Sequence, residues 1–340
     1  MKNYRFFALF SISMLILAAL SCSTEGALQH ILGTSAEAPV FLDCRSVSST
    51  KMVFRFSQSV NVKSIYFDPP LEVDSIEGGD EVTVVFAKKL EEGKKVTADI
   101  VVEDSGMNTL NVIVPFRTRN DRMPTLFFNE LRTEYSKPKA EFVEFVSQRA
   151  GNLGGMRLFI ASHSLTTPVY EFSPVEVKAG EYIVLHLRTV EEGCQDETGA
   201  DLALSAGTDA QNDARDLWVP GSSKLLHKTD ALWLMDQDDK IIDAILLSEN
   251  SDASWKNDKI AEAANLLGRE KAWLPSTGDA AEWSPGPSDA VMAAGTTLTR
   301  TICRDDTLPQ RPSAGKWYIT ANSSATPGKP NNPKRYTNTK

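Results

Sequence analysis

The sequence predicts an all-β protein built from two β-sandwich domains in tandem, the second carrying a helical insertion. Three observations predict it. Short runs of alternating apolar and polar residues recur about every ten residues from Val40 onward, the period-2 pattern of half-buried strands. Turn-forming pairs stand between them, among them Pro69-Pro70, Gly78-Gly79, Glu92-Gly93 and Ser105-Gly106. One stretch only, Asp252–Leu267, carries a convincing helical pattern. At 340 residues the chain has room for two ordinary domains, and its 41% hydrophobic and 24% charged content is that of a globular protein.

Residues 1–22 read differently. Lys2 and Arg5 precede an apolar run from Phe6 to Leu20, and Ser21-Cys22 follow. The run is shorter than the ~20 apolar residues of a spanning helix, so a cleaved export signal is expected. The segment LAALSC resembles a bacterial lipoprotein signal, in which the cysteine is acylated and becomes the mature N-terminus. Ala19 stands where Leu is usual, a loose form typical of spirochaetes. The resemblance implies lipidation at Cys22, and two or more acyl chains give stable anchoring. A signal cut elsewhere and an uncleaved anchor are the alternatives. Residues 23–38 then form a flexible tether. The expected address is the bacterial cell membrane or outer membrane, on its periplasmic or surface face.

Removing Lys2 and Arg5 leaves 34 basic residues against 45 acidic ones, a net charge near −11. No basic stripe interleaved with aromatics is present, which excludes a nucleic-acid backbone as partner. The remaining cysteines are Cys44, Cys194 and Cys303, with no C-x-x-C pair, so zinc-ribbon and thioredoxin chemistry are excluded. In an exported protein one disulfide can persist. Cys194–Cys303 is the expected pair, and three unpaired thiols are the alternative.

Residues 39–120 contain seven strand-like runs: VFLDCRS, KMVFRFS, KSIYF, LEVDSI, EVTVVFA, KVTADIVVE and TLNVIVPFR. Such spacing suits an immunoglobulin-like (Ig-like) sandwich. VFRFSQSV and LEEGKKVTADIVVEDSGMNT resemble the bacterial Ig-like domains of envelope proteins, which implies a spacer; Asp104 is expected to cap the Ser105-Gly106 turn.

Residues 124–333 form the second domain. Phe127–Leu131 and Glu141–Val146 read as strands, the latter apolar on both faces and so covered on both sides. MRLFIAS, AGEYIVLHL, a hairpin around Asp236–Asp239 and Trp317–Thr320 supply further strands. The pieces FFNEL, EFVEFVS, NLGGMRLFI, AGEYIVL, DALWLMDQDDKIIDAI and TPGKPN together resemble a lamin-tail domain. The resemblance implies a second Ig-like sandwich with scaffolding or binding duties. It makes Glu130, Glu144, Asp243, Gly328 and Asn331 residues of a structural motif. Phe142 stands where the family has Trp, Gly155-Met156 replaces Gly-Trp, and Asp239-Lys240 replaces the hairpin Gly. Residues 188–228 and 248–296 read as insertions, and 334–340 as a disordered tail. The helix in the second insertion is expected to be capped by Asp252 or Ser254, to end at Gly268, and to cover an open sheet edge or the sandwich mouth.

Chemistry is sparse. In the first insertion Asp201, Asp209, Asp213 and Asp216 are candidate metal ligands, because closely spaced carboxylates suit Ca²⁺; no other cofactor is expected. Glu130 and Glu144 invite a carboxylate-pair reading, but hydrogen bonding to neighbouring loops is favoured. Histidines 30, 163, 186 and 227 lack metal spacing, and no G-x-S-x-G, P-loop or dinucleotide glycine motif is present. Trp218, Trp233, Trp255, Trp273 and Trp283 suit either a core or a sugar-stacking surface. The expected function is a lipid-anchored cell-envelope protein, a non-enzymatic binding or scaffolding module contacting a protein or glycan partner. The alternative is a metal-dependent, phosphoesterase-like hydrolase with its acidic site in 188–228.

Overall fold

A computed structural model describes residues 37–278, 283–305 and 311–337. The expected signal peptide, Cys22 and tether residues 23–36 lie outside them. The chain divides into two compact units. One ends at Arg119 and omits Glu91–Lys94; the other combines Glu91–Lys94 with the chain from Asn120 onward. Both are built of strands, and the protein is all-β.

In the first unit, β1 (Phe41–Ser48), β2 (Lys51–Asp68), β3 (Val73–Glu77), β4 (Gly79–Phe86), β5 (Lys95–Asp104) and β6 (Thr109–Arg117) form one antiparallel sheet. Its order is β3-β4-β2-β5-β6, with β1 also on β2. Six strands replace the seven expected, because KMVFRFS and KSIYF are two halves of the 18-residue β2. No Gly or Pro separates them, and each half finds its own partners. The first runs between β1 and β4, while Val60–Asp68 pairs with β5. Alternation puts Met52, Phe54 and Phe56 in the core with Val82, Val84 and Phe86 of β4 and Ala98, Ile100 and Val102 of β5. Asp104 Oδ1 accepts the N–H groups of Gly106 (2.8 Å) and Asn108 (2.9 Å), closing the β5–β6 turn.

The second unit contains β7 (Leu126–Arg132), β8 (Phe142–Ser147), β9 (Gly151–Asn152), β10 (Arg157–Ile160), β11 (Tyr170–Glu171), β12 (Glu176–Val177) and β13 (Tyr182–His186). β14 (Arg215–Trp218), β15 (Asp230–Met235), β16 (Ile241–Ser248), helix α1 (Asp258–Arg269), β17 (Val291–Met292), β18 (Ile302–Arg304) and β19 (Trp317–Ile319) follow. A six-stranded sheet runs β14-β13-β8-β7-β18-β19, a five-stranded sheet β11-β10-β15-β16-β17, and β12 pairs with β9. Phe128, Phe145 and Ile183 of the first sheet and Leu158, Leu232 and Leu246 of the second belong to one buried core. Within it the Phe128 and Phe145 rings lie 5.0 Å apart, and Phe172 meets Phe145 edge-on at 5.8 Å.

Several expectations need correction. The 188–228 segment supplies a strand of the six-stranded sheet: β14 pairs in parallel with β13, fixed by Arg215, which bonds Glu181 and the carbonyl of Gly199. The 248–296 segment likewise adds β17, parallel to β16. Helix α1 starts six residues later than expected. Its cap is Asn257, whose Oδ1 accepts Lys259 N at 3.0 Å, while Asp252 pairs with Lys256 and Ser254 stands outside the helix. Gly268 lies inside the helix, not past its end. A Cβ there would meet Trp283 O and Pro285 at 2.7 Å, so close packing is what requires glycine. The helix packs on β15, an interior strand, and so covers a sheet face, not an edge. The expected disordered tail begins as docked chain: Tyr336 N donates to Ile319 O, Ala321 N to Lys334 O, and Arg335 pairs with Asp305. Finally, Cys194 and Cys303 are free thiols, as is Cys44. Cys303 is buried in β18, whereas Cys194 is half-buried beside Trp218 and Gly207 in the 188–228 segment.

Candidate functional site

Glu130 and Glu144 are register partners across β7 and β8, and both are fully buried. A buried carboxylate must be hydrogen-bonded, and the partners here come largely from one downstream segment. Glu130 accepts Thr326 N (3.0 Å), Thr326 Oγ1 (2.8 Å) and the Thr301 hydroxyl. Glu144 accepts Gly328 N and the amide of Asn129. Asn331 completes the clasp, donating from Nδ2 to Asn129 Oδ1 (2.9 Å) and Arg304 O (3.0 Å). Gly328 has φ +74°, the left-handed region open to glycine. Burial raises both carboxyl pKa values, that of Glu144 well above the ordinary range with the charge of Glu130 adding to it.

Asp243 stands beside this clasp. Its Oδ2 accepts Phe128 N (2.8 Å) and the Arg304 guanidinium, whose Nε donates to Phe128 O at 2.6 Å. Burial pushes Asp243 up to about 6 against the opposing pull of Arg304. The arrangement fastens strands to the 326–331 segment. Both glutamates are at 0% exposure, and their carboxyl oxygens are taken up by these donors.

The four candidate metal ligands do not converge. Asp216 is buried against His186 Nε2 at 2.7 Å and also accepts Gln211 N. Asp209 pairs with Arg132, Asp201 Oδ1 accepts Ala203 N at 3.0 Å, and Asp213 is exposed. Asp196 takes the Tyr170 hydroxyl and Trp218 N, both at 2.7 Å. The loop needs acceptors for its own N–H groups, and Asp196, Asp201 and Asp216 supply them to Trp218, Ala203 and Gln211. Among the described residues no three His, Cys, Asp or Glu side chains gather as metal ligands.

A cavity of about 410 Å³ opens beside the start of α1, lined by Ser162, His227, Thr229, Asn250, Ser254 and Trp255 among others. Sequence reasoning missed it, because its walls come from the β15 and β16 ends and the insertion before α1. Trp255 was its one legible signal. Of the other tryptophans named with it, Trp218, Trp233 and Trp273 are buried and Trp283 packs against the core. Ser162 and His227 of the cavity wall meet the buried Asp230, yet not as a catalytic triad. Ser162 Oγ donates to Asp230 Oδ2 at 2.6 Å, and His227 Nδ1 lies 3.3 Å from Ser162 Oγ and 3.6 Å from that same carboxylate oxygen. A triad needs the imidazole between hydroxyl and carboxylate, using one nitrogen for each. Asp230 is also occupied as a cap, accepting Ser162 N and Ala231 N at 3.0 Å.

A family model described as "TP_1001_2nd: protein second domain" matches residues 124–319. The chain is 28% identical over 199 residues to an uncharacterized protein of Treponema pallidum (strain Nichols), covering 56% of this chain and 50% of that protein. It thus spans about half the length of the curated relative it matches. Among solved structures, the N-terminal part of the bacterial S-layer protein SbsC aligns at TM-score 0.25 and 12% identity, over 68% of this chain and 48% of that one. L,D-transpeptidase 3 from Mycobacterium tuberculosis aligns at 0.17 and 11%, over 53% of this chain and 98% of that one. At such scores neither likeness bears on fold or function.

Proposed function

The chain belongs to the spirochaete-related TP_1001_2nd (protein second domain) family through residues 124–319, and from that premise we propose that it is a lipid-anchored cell-envelope binding module. The second unit is a lamin-tail-like sandwich that contacts a protein or glycan partner without catalytic turnover. The first is an Ig-like spacer, and acyl groups on Cys22 hold the protein at the membrane. The observation that carries the reading is the cavity beside Trp255, a recess lined by many short polar side chains at the ends of β15 and β16. Its support includes the engagement of Glu130, Glu144 and Asp243 in holding neighbouring backbone.

The test is photo-crosslinking in intact envelopes, with the crosslinker at Lys256, which lines the cavity and whose side chain is 81% exposed. A discrete adduct together with an acylated Cys22 peptide is the expected result. No adduct above a control site defeats the binding reading, and an unmodified Cys22 peptide defeats the anchor.

A further inference from the structure

The cavity beside α1 has a composition that selects among ligand classes. Its aromatic wall is Trp255, whose indole N–H donates to Pro285 O at 2.8 Å, so the ring is locked in place before any ligand arrives. Around it stand short hydroxyl and amide groups. Ser254 Oγ and Asn250 Nδ2 have no bonded partner among the described residues. Thr229 Oγ1 accepts Glu249 N at 3.1 Å and keeps its own proton free to donate. A fixed ring flanked by unpaired hydroxyl and amide groups matches a ligand that is apolar on one face and hydroxylated at its edge.

The charges at the rim argue the same way. Glu249 and Asp252 line the cavity and Lys256 is its one permanent cation, already paired with Asp252 at 2.8 Å. Phosphate or nucleotide would meet two carboxylates and no arginine, contrary to how such anions are held. A peptide adding itself as a strand would need an open edge. Here β16 is paired on both sides, Leu247 with Asp230 and with Val291. An acyl chain would leave these hydroxyl and amide groups desolvated without partners.

We propose that this cavity is a binding site for an uncharged saccharide, stacked on Trp255 and hydrogen-bonded by Asn250, Ser254 and Thr229. The inference rests on the reading of the second unit as a binding module and names its ligand class.

Calorimetric titration of the full mature chain with tri-N-acetylchitotriose and with maltotriose tests it, with inorganic pyrophosphate as the anionic comparison. Saturable binding of at least one trisaccharide is expected. Trp255→Ala should weaken it about tenfold or more, and Trp255→Phe should retain most of it. Trp255 also packs on the core, so Ser254→Trp at an exposed position supplies a variant that fills the cavity without disturbing the fold, and it too should abolish binding. Binding of neither trisaccharide, binding of pyrophosphate instead, or unchanged affinity in both variants overturns the proposal. A protein adduct at Lys256 alongside failed saccharide binding would sink this inference and leave the binding module standing; failure of both experiments would sink both.

Discussion

Glu130 on β7 and Glu144 on β8 lie opposite one another in the interior, and the two carboxylates grip one downstream segment at Thr326 and Gly328 respectively. Both carboxyls have raised pKa values, so the folded protein holds their protons more tightly than the unfolded chain. Stabilisation from a raised carboxyl is complete below its unfolded value and lost as pH climbs through its folded one. Glu144→Gln removes one such group. Urea denaturation from pH 5 to 8 should show the variant gaining stability relative to the unmodified protein as pH rises. Parallel curves would contradict this.

Glu144→Leu acts differently, since it leaves Gly328 N–H and the Asn129 amide without their acceptor. Each buried unsatisfied group costs about 1–3 kcal/mol. The variant should be destabilised even at pH 5, where the glutamine variant is expected to differ least from the unmodified protein.

Asn331→Ala releases the other end of the clasp by deleting donors to Asn129 and Arg304. A loss of about 1–3 kcal/mol is expected, with faster amide exchange at Thr326 and Gly328. Unchanged protection there would show that the segment is held by something else.

Asp243→Ala leaves the Arg304 guanidinium buried and without its carboxylate, although Trp317 lies 4.7 Å away. Breaking such a pair from one side costs roughly 3–5 kcal/mol. Asp243→Asn keeps an acceptor for Phe128 N and should cost less. Equal melting temperatures for the two variants would refute this account.

These residues also show what was legible in the sequence and why. The strands of β7, β8, β15 and β16 announce themselves because alternation and turn residues are local signals. The roles of Glu130 and Glu144 came through the resemblance of whole segments, since nothing within five residues of Glu130 indicates Thr326. β14 escaped because four residues, RDLW, carry too short a period to stand out, and Arg215 becomes buried only through partners far along the chain. The cavity escaped because the stretch from Ser248 to Ile260, which supplies most of its lining, becomes a recess only together with Ser162, His227, Thr229 and Pro287. The helix starts later than Asp252 or Ser254 would place it because Asn257, an equally good cap residue, is the one whose side chain accepts Lys259 N.

Thiol reactivity checks the cysteine assignments. Burial, with the charge of Asp43, pushes Cys44 up to about 12, and burial with Glu130 raises Cys303. Cys194 is less enclosed. Iodoacetamide on the native protein at pH 8 should modify Cys194 first and Cys303 only after denaturation. A Cys194–Cys303 peptide in a non-reducing digest would contradict the structure.

The scattered acids of 188–228 predict that millimolar Ca²⁺, Mg²⁺ or Mn²⁺ leaves the melting temperature unchanged, since a tightly bound ion would raise it by mass action. A rise of several degrees abolished by Asp209→Asn would revive the metal-site reading.

The clasp reaches across 196 positions from Glu130 to Thr326 and 184 from Glu144 to Gly328. Synthesis therefore delivers the acceptors long before their donors. A nascent chain not yet extended to Thr326 would keep only the Thr301 hydroxyl on Glu130 and the Asn129 amide on Glu144, leaving both buried carboxyls short of their backbone donors. The clasp thereby makes backbone synthesised late a condition for satisfying carboxylates synthesised early.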